Sequence, residues 1–240
     1  RLSYSISSSR GNLMSFAELV SQNECWKNVS SEEPRLYPKG STFPDDYMYV
    51  LVSGRLRLTA LSANGGEKII WYLGEGCCFN EKILFFSGND NVPLSLNTAD
   101  FQYEAVENSY VQRFSMEELQ RIGKARPDLL LNLCQSYSVK VALLAQQVVS
   151  LSVESHLTRV CKFLAERIIP GSNPLRAKRD MPLFEMADLL GMHRITLYKA
   201  MREAQSRGLL SFDKNSDEIV ILQPKTFFYE AHGHVPNVKY

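Results

Sequence analysis

Phe184-Glu185-Met186-Ala187-Asp188-Leu189-Leu190-Gly191-Met192-His193-Arg194-Ile195-Thr196-Leu197-Tyr198-Lys199-Ala200-Met201 reads as two short helices folded around one tight turn. Met186, Leu189 and Leu190 fall on one face at helical spacing, Ala187 is small enough for close helix approach, and Gly191 supplies the turn. The second helix is expected to begin near His193. Ile195, Leu197, Ala200 and Met201 would then pack inward, leaving Arg194, Thr196, Tyr198, Lys199 and Arg202 open to a groove and its phosphate walls. A plain helical hairpin with a solvated basic face would carry a similar pattern, so the flanking sequence has to decide. Residues 208–212 and 218–222 read as two strands joined by a polar turn at 213–217, which completes a winged helix-turn-helix.

Charge points the same way. Between Ser155 and Lys225 there are twelve Lys and Arg against eight Asp and Glu, whereas the 240-residue chain as a whole carries only +1. A basic surplus confined to one end fits a chain in which one domain meets phosphates, with double-stranded DNA the expected partner.

A chain of this length with 45% hydrophobic residues has material for two cores. No run is long and apolar enough for a membrane span, and no export signal is evident, so a cytoplasmic location without membrane contact is expected. The Ser-rich start, residues 1–11, reads as a tag remnant or a loose tail, with Met14 a candidate start. Five cysteines, Cys25, Cys77, Cys78, Cys134 and Cys161, form no Cys-x-x-Cys pair and have no His at metal spacing. They are expected to be small buried hydrophobes, no metal site is expected, and in an extended segment Cys77 and Cys78 would face opposite ways.

From about Arg35 to Phe114, short β-rich runs alternate with turn residues at 38–40, 53–54, 64–66, 74–76 and 87–90, the punctuation of a sandwich or barrel. Residues 49–52, 55–61 and 68–73 are strand-like, and Arg55-Leu56-Arg57-Leu58 sets charges on one face and leucines on the other. A long helix follows over 127–151. Leu130, Cys134, Tyr137, Val141, Leu144, Val148 and Leu151 recur at steps of four and three, a heptad seam that wants either a second copy or the chain's own β domain. A homodimer is favoured, because paired readers gain affinity and site length on a palindromic site. Residues 150–155 read as a hinge and about 156–168 as the next helix; Phe227, Phe228 and Tyr229 suggest a tail that docks on the fold.

The order of these parts, with Gly54-Arg55-Leu56-Arg57-Leu58, the hairpin at 63–68, the Gly74-Glu75-Gly76 turn, the long helix and the winged helix, resembles the CRP/FNR family of bacterial transcription regulators over roughly residues 36–222. The resemblance implies an α+β chain. Residues 12–126 would form a double-stranded β-helix (jelly roll) effector domain, 127–154 a dimerisation helix and hinge, and 155–240 a winged helix-turn-helix DNA-binding domain. It implies a homodimer that answers a small-molecule effector and acts with RNA polymerase, and it implies no enzymatic activity. His193, Arg194, Ile195, Thr196, Tyr198, Lys199 and Arg202 are the expected DNA contacts, with an Arg at the Arg194 position gripping guanine O6 and N7. Ile195 departs from the acidic residue usual in the family.

The effector reading rests on departures. Relatives that bind cyclic nucleotides carry Gly-Glu for the ribose and Arg-Ser for the phosphate, where this chain has Asn80-Glu81 and Ala99-Asp100; a carboxylate there would repel a phosphate. A haem-dependent nitric oxide, carbon monoxide or redox sensor is an alternative. All four histidines lie outside the β region, so haem would need Cys77, Cys78 or an unusual ligand. On the dimer helix, Tyr137-Ser138-Val139-Lys140-Val141-Ala142 resembles the regulators of organohalide respiration, in which a Tyr and a Lys of this helix meet a chlorinated phenol and the Lys favours its phenolate. Tyr137 and Lys140 match them. The expected pocket adds Trp71, Tyr72, Phe79, Asn80, Glu81, Lys82 and Tyr103, and an aromatic or anionic organic molecule is the expected effector. The readings from other classes are a cupin-like enzyme, which would need His in the β region, and a cyclic-nucleotide module acting on a protein partner.

Overall fold

The structure, a computed structural model, describes residues 16, 18–27, 29–30, 32–62, 65–86, 99–213 and 215–234, without the side chains at 85, 86, 99 and 100. The Ser-rich start, residues 63–64 of the expected hairpin and the expected turn at 87–90 lie outside these. Strands β1 (Arg35–Tyr37), β2 (Met48–Ser53), β3 (Leu56–Ser62), β4 (Glu67–Leu73), β5 (Cys77–Phe79), β6 (Ala99–Ala105) and β7 (Ser109–Phe114) build the N-terminal half, with the short helix α1 (Lys82–Phe86) after β5. Two antiparallel sheets result, ordered β1-β7-β2-β5 and β4-β3-β6. The Arg55–Leu58 alternation survives in the fold: Leu56 and Leu58 are buried, while the Arg57 guanidinium reaches Glu104 at 2.9 Å. Gly54 makes the β2-to-β3 corner at φ +103°, where a Cβ would stand 2.8 Å from the Ser109 Cα, so only glycine fits.

Helix α2 (Met116–Ala125) starts on a Ser115 cap, and α3 runs from Pro127 to Val153 with its proline in the first turn. Two heptad stripes lie side by side on α3. Leu129, Leu133, Ser136, Lys140, Leu143, Gln147 and Ser150 are buried against the β domain. The seam read from sequence sits one residue further round: Cys134, Val141, Leu144, Val148 and Leu151 are exposed, and Leu130 and Tyr137 are half-buried. The seam is thus not the face that covers the chain's own sheet. The expected hinge is shorter than the sequence suggested, because α3 stays helical to Val153 and α4 (His156–Ala165) begins on a Ser155 cap. The expectation that all five cysteines are buried is corrected for Cys25 and Cys134, which are exposed; Cys134 lies on the open seam of α3.

The C-terminal half contains β8 (Arg176–Lys178), α5 (Leu183–Leu189), α6 (Arg194–Ser206), β9 (Leu210–Ser211), β10 (Glu218–Ile221) and α7 (Pro224–His232). The wing sheet is ordered β8-β10-β9, one strand more than the hairpin read from sequence, since a three-residue strand carries too little pattern to register. Phe227 and Phe228 dock in the core, but Tyr229 on the opposite face of α7 is exposed. Ile195 is also outward, at 61% exposed, which corrects its expected inward packing.

The two halves share a core. Phe16, Ile69 and Tyr72 pack with the hydrophobic residues of α4, α5 and α6, so β4 serves both domains. Among the described residues no helix is long and apolar enough to cross a membrane.

Candidate functional site

Inside the β roll, aromatic rings crowd around Phe79. Its ring stacks on Tyr49 at 5.0 Å between centroids and lies 4.9 Å from Tyr103 and 5.0 Å from Phe43. Trp71, Val139 and Leu143 belong to the same cluster, so the interior of the roll is continuous with α3. At that junction Lys140 Nζ donates to the Cys78 carbonyl at 2.8 Å and makes a short contact with the Glu81 carboxylate. Lys140 and Glu81 are 4% and 3% exposed. A cation and an anion buried this deeply persist because each satisfies the other.

The aromatic neighbours stay neutral. Burial, helped by the Glu81 charge, pushes the Tyr103 hydroxyl well above the ordinary tyrosine value, and Tyr137 shifts the same way for the same reasons. The expected pocket is therefore brought together in part: Trp71, Phe79, Glu81, Tyr103, Tyr137 and Lys140 converge. Two residues do not: Tyr72 turns to the other domain and donates to Glu185 Oε2 at 2.7 Å, and Lys82 pairs on the surface with Asp45 at 2.8 Å. Asn80 is buried beside Phe79, its Nδ2 donating to the Tyr47 carbonyl at 2.6 Å. Tyr72 and Lys82 missed the pocket for one reason, the strand or helix period, which turns an adjacent residue away from its neighbour. Tyr49 and Phe43, which complete the aromatic lining, were missed because they read as ordinary core strand and loop residues.

Among the described residues, neither a cyclic nucleotide nor haem finds the partners it would need. Glu81, at the ribose position, is engaged by Lys140, and Arg35, Arg55, Arg57 and Arg113 each pair with a carboxylate, leaving them committed away from a cyclic phosphate. The side chains of Ala99 and Asp100 lie outside those described. Cys77 and Cys78 do face opposite sides, as expected, one into the roll and one toward α2 and α3. Burial raises the Cys77 thiol to about 11 and the Cys78 thiol well above its ordinary value, and Cys77 Sγ donates to the Leu19 carbonyl at 3.2 Å. Thiols held protonated in this way are poor haem ligands. Among the described residues no group of three metal-ligating side chains converges.

The second candidate surface is α6. His193 caps its start, with Nδ1 accepting from the Ile195 N–H at 3.4 Å. Leu197, Ala200, Met201 and Ala204 hold the helix in the core. Arg194, Ile195, Tyr198, Lys199 and Arg202 are exposed and Thr196 is half-exposed, so the expected reader residues share one open face. Arg194 lies over the Phe184 ring at 5.2 Å, which orients the guanidinium. The turn before α6 is tied down from three sides. Arg159 Nη1 donates to the Leu190 carbonyl at 2.6 Å, Lys68 Nζ donates to the Leu189 carbonyl at 2.7 Å, and Gly191, at φ +60°, sits where a Cβ would come within 2.6 Å of Leu151 Cδ2. Both cations cap the C-terminal end of α5, where the carbonyls lack helical partners. Sequence reading missed Lys68 and Arg159, since no local pattern marks a charge that acts across domains.

Comparison with known proteins agrees with this architecture. Residues 36–125 match the cyclic nucleotide-binding domain family. No curated protein sequence matches the chain significantly. Among solved structures, a CprK variant complexed with OCPA superposes with a TM-score of 0.70 at 18% identity, covering 91% of this chain and 98% of that one. A CooA mutant from Carboxydothermus hydrogenoformans gives 0.65 at 15% identity, covering 89% and 100%. A CRP/FNR-family transcriptional regulator from Thermus thermophilus gives 0.61 at 19% identity, covering 83% and 98%. Residues 36–125 thus match the cyclic nucleotide-binding domain family, and over about nine-tenths of its length the chain shares the fold of these solved regulators.

Proposed function

We propose that the protein is a DNA-binding transcription regulator that acts as a homodimer and answers a small aromatic molecule held between the β roll and α3. The observation that carries this reading is the open face of α6, where Arg194, Ile195, Tyr198, Lys199 and Arg202 stand together on a helix whose other face is locked in the core. Exposed cations flanking an apolar side chain suit the phosphate walls and base edges of a major groove. The exposed α3 seam supports pairing with a second copy, since Val148 is 63% exposed and Val141 55% exposed in an otherwise well-packed helix. A CprK variant of the same fold is complexed with OCPA, which supports a ligand-responsive reading of this chain.

The switch would be a population shift. An effector that moves Lys140 moves α3, and Gly191 rests on Leu151 of the same helix, so the reader turn and the pocket are mechanically joined. The outcome on a promoter would be to recruit or to block RNA polymerase.

The test is selection of duplexes from a random library by the full chain, followed by fluorescence anisotropy on the enriched sequence. A palindromic site bound by two copies, with affinity changed by an aromatic effector, is the expected result. Binding that stays equal across all duplexes would refute the reader role of α6.

A further inference from the structure

We infer that the effector site is selective for a neutral, proton-donating aromatic such as an un-ionised phenol, and that Glu81 is the residue that imposes this choice. The inference rests on the reading of the β roll and α3 as an effector site, and it revises the expectation that Lys140 favours a phenolate. The charge of Lys140 is already matched. Its ammonium is held by the Glu81 carboxylate and the Cys78 carbonyl, two of its three N–H directions. An anion placed on Lys140 would have to share a buried site with the Glu81 carboxylate, and two like charges in such a site repel strongly. A neutral hydroxyl suits both partners at once: its O–H donates to Glu81 and its oxygen accepts the third N–H of Lys140.

Among the described residues the surroundings supply no spare cation. The titratable groups that feel this pair are Tyr103 of β6, Tyr137 of α3, and Cys77 and Cys78 of β5, all held protonated by burial and all uncharged at neutral pH. Lys82, which follows Glu81 in the chain, is matched by Asp45 on the surface. Among the described residues the pocket is therefore electroneutral. Phe79, Tyr103 and Trp71 line this part of the roll with apolar faces, and the Trp71 indole N–H is turned toward the Tyr103 hydroxyl.

The experiment is isothermal titration calorimetry of the full chain at neutral pH with two phenols of nearly equal size. One is unsubstituted and stays protonated, and the other is polyfluorinated and ionises. We expect the protonated phenol to bind at least about tenfold more tightly, equivalent to about 1.4 kcal/mol. Repeating the fluorinated titration in two buffers of different ionisation enthalpy counts protons, and uptake of close to one proton per site is expected, because the phenolate must be protonated to enter. This readout needs no variant. Glu81→Gln should reverse the preference by leaving Lys140 unmatched. Tighter binding of the ionised phenol by the natural chain, or binding without proton uptake, would overturn the inference while leaving the effector site in place. Failure of both phenols to bind, with DNA selection still positive, would overturn this ligand class and leave the DNA-binding reading standing.

Discussion

The Tyr72 hydroxyl donates to Glu185 Oε2 across 2.7 Å, and this bond joins β4 of the β roll to α5 of the C-terminal half. Burial and the adjacent carboxylate hold that hydroxyl protonated, so it remains a donor across the working pH range. Arg57 also approaches Glu185, at 3.7 Å, and places the carboxylate between two donors. Glu185 is therefore a point where the roll grips α5.

Tyr72→Phe removes that donor with little change of shape. A hydrogen bond to a charged group contributes about 1.5 to 3 kcal/mol, and its loss should weaken domain docking rather than either fold. Limited proteolysis should cut the junction after Val153 faster, with unchanged far-ultraviolet circular dichroism. An unaltered cleavage rate would show that the clasp does not hold the domains together.

Lys68 gives a pH signature. Burial in the interface, with Arg159 nearby, lowers its ammonium from 10.5 to about 8. The folded chain thus releases this proton earlier than the unfolded chain. Below about pH 8 the buried charge opposes folding in full, and the opposition fades as pH rises from about 8 to 10.5. Stability of the natural chain should therefore climb relative to Lys68→Met across that window, by on the order of 3 kcal/mol at most. Urea unfolding of both proteins at several pH values reads the difference, in which the other titrating groups cancel. A flat difference would mean the ammonium is not buried.

Arg194→Ala and Ile195→Ala should leave folding nearly untouched, because both side chains are exposed. Surface changes of this kind usually stay within about 0.5 kcal/mol. Affinity for the selected duplex should fall by about 1 to 3 kcal/mol for Arg194→Ala, with relaxed choice at one base pair. Anisotropy on single-substituted duplexes checks this; retained discrimination at every position would remove Arg194 from base reading.

Val148→Glu and Val141→Glu place charges on the open seam of α3. Both side chains are exposed rather than packed on the β domain, so thermal stability of the monomer should hold while light scattering reports a shift from dimer to monomer. A dimer that survives both changes would place the interface elsewhere.

Lys140→Met leaves the Glu81 carboxylate buried without its partner, a change that commonly costs about 3 to 5 kcal/mol. Adding Glu81→Leu should recover most of that loss, since replacing both members of a buried pair with apolar groups is often close to neutral. A double variant as unstable as the single one would show that the two residues are not energetically coupled.

Much of this molecule could be read directly from residues 35–232. The helix-turn-helix was legible because Met186, Leu189, Leu197 and Met201 repeat at helical spacing around Gly191, and the strands because Leu56 and Leu58 alternate with Arg55 and Arg57. Those are local periods, set by the 3.6-residue helix and the two-residue strand, and they need no knowledge of distant neighbours. The heptad seam on α3 was legible for the same reason. The pocket was only half legible: Lys140, Tyr137 and Glu81 could be named, but not that Glu81 answers Lys140. Glu81 lies 59 residues away and reaches Lys140 only after β5 packs on α3. Tertiary structure alone decided that the Lys140 charge is matched, that Tyr72 bonds to Glu185 of α5 instead of facing Lys140, and that Lys68 and Arg159 clamp the turn before α6. Sequence determines which faces of each element are apolar; which charge meets which is settled only when those faces close and exclude water, because only then does an unmatched charge become costly.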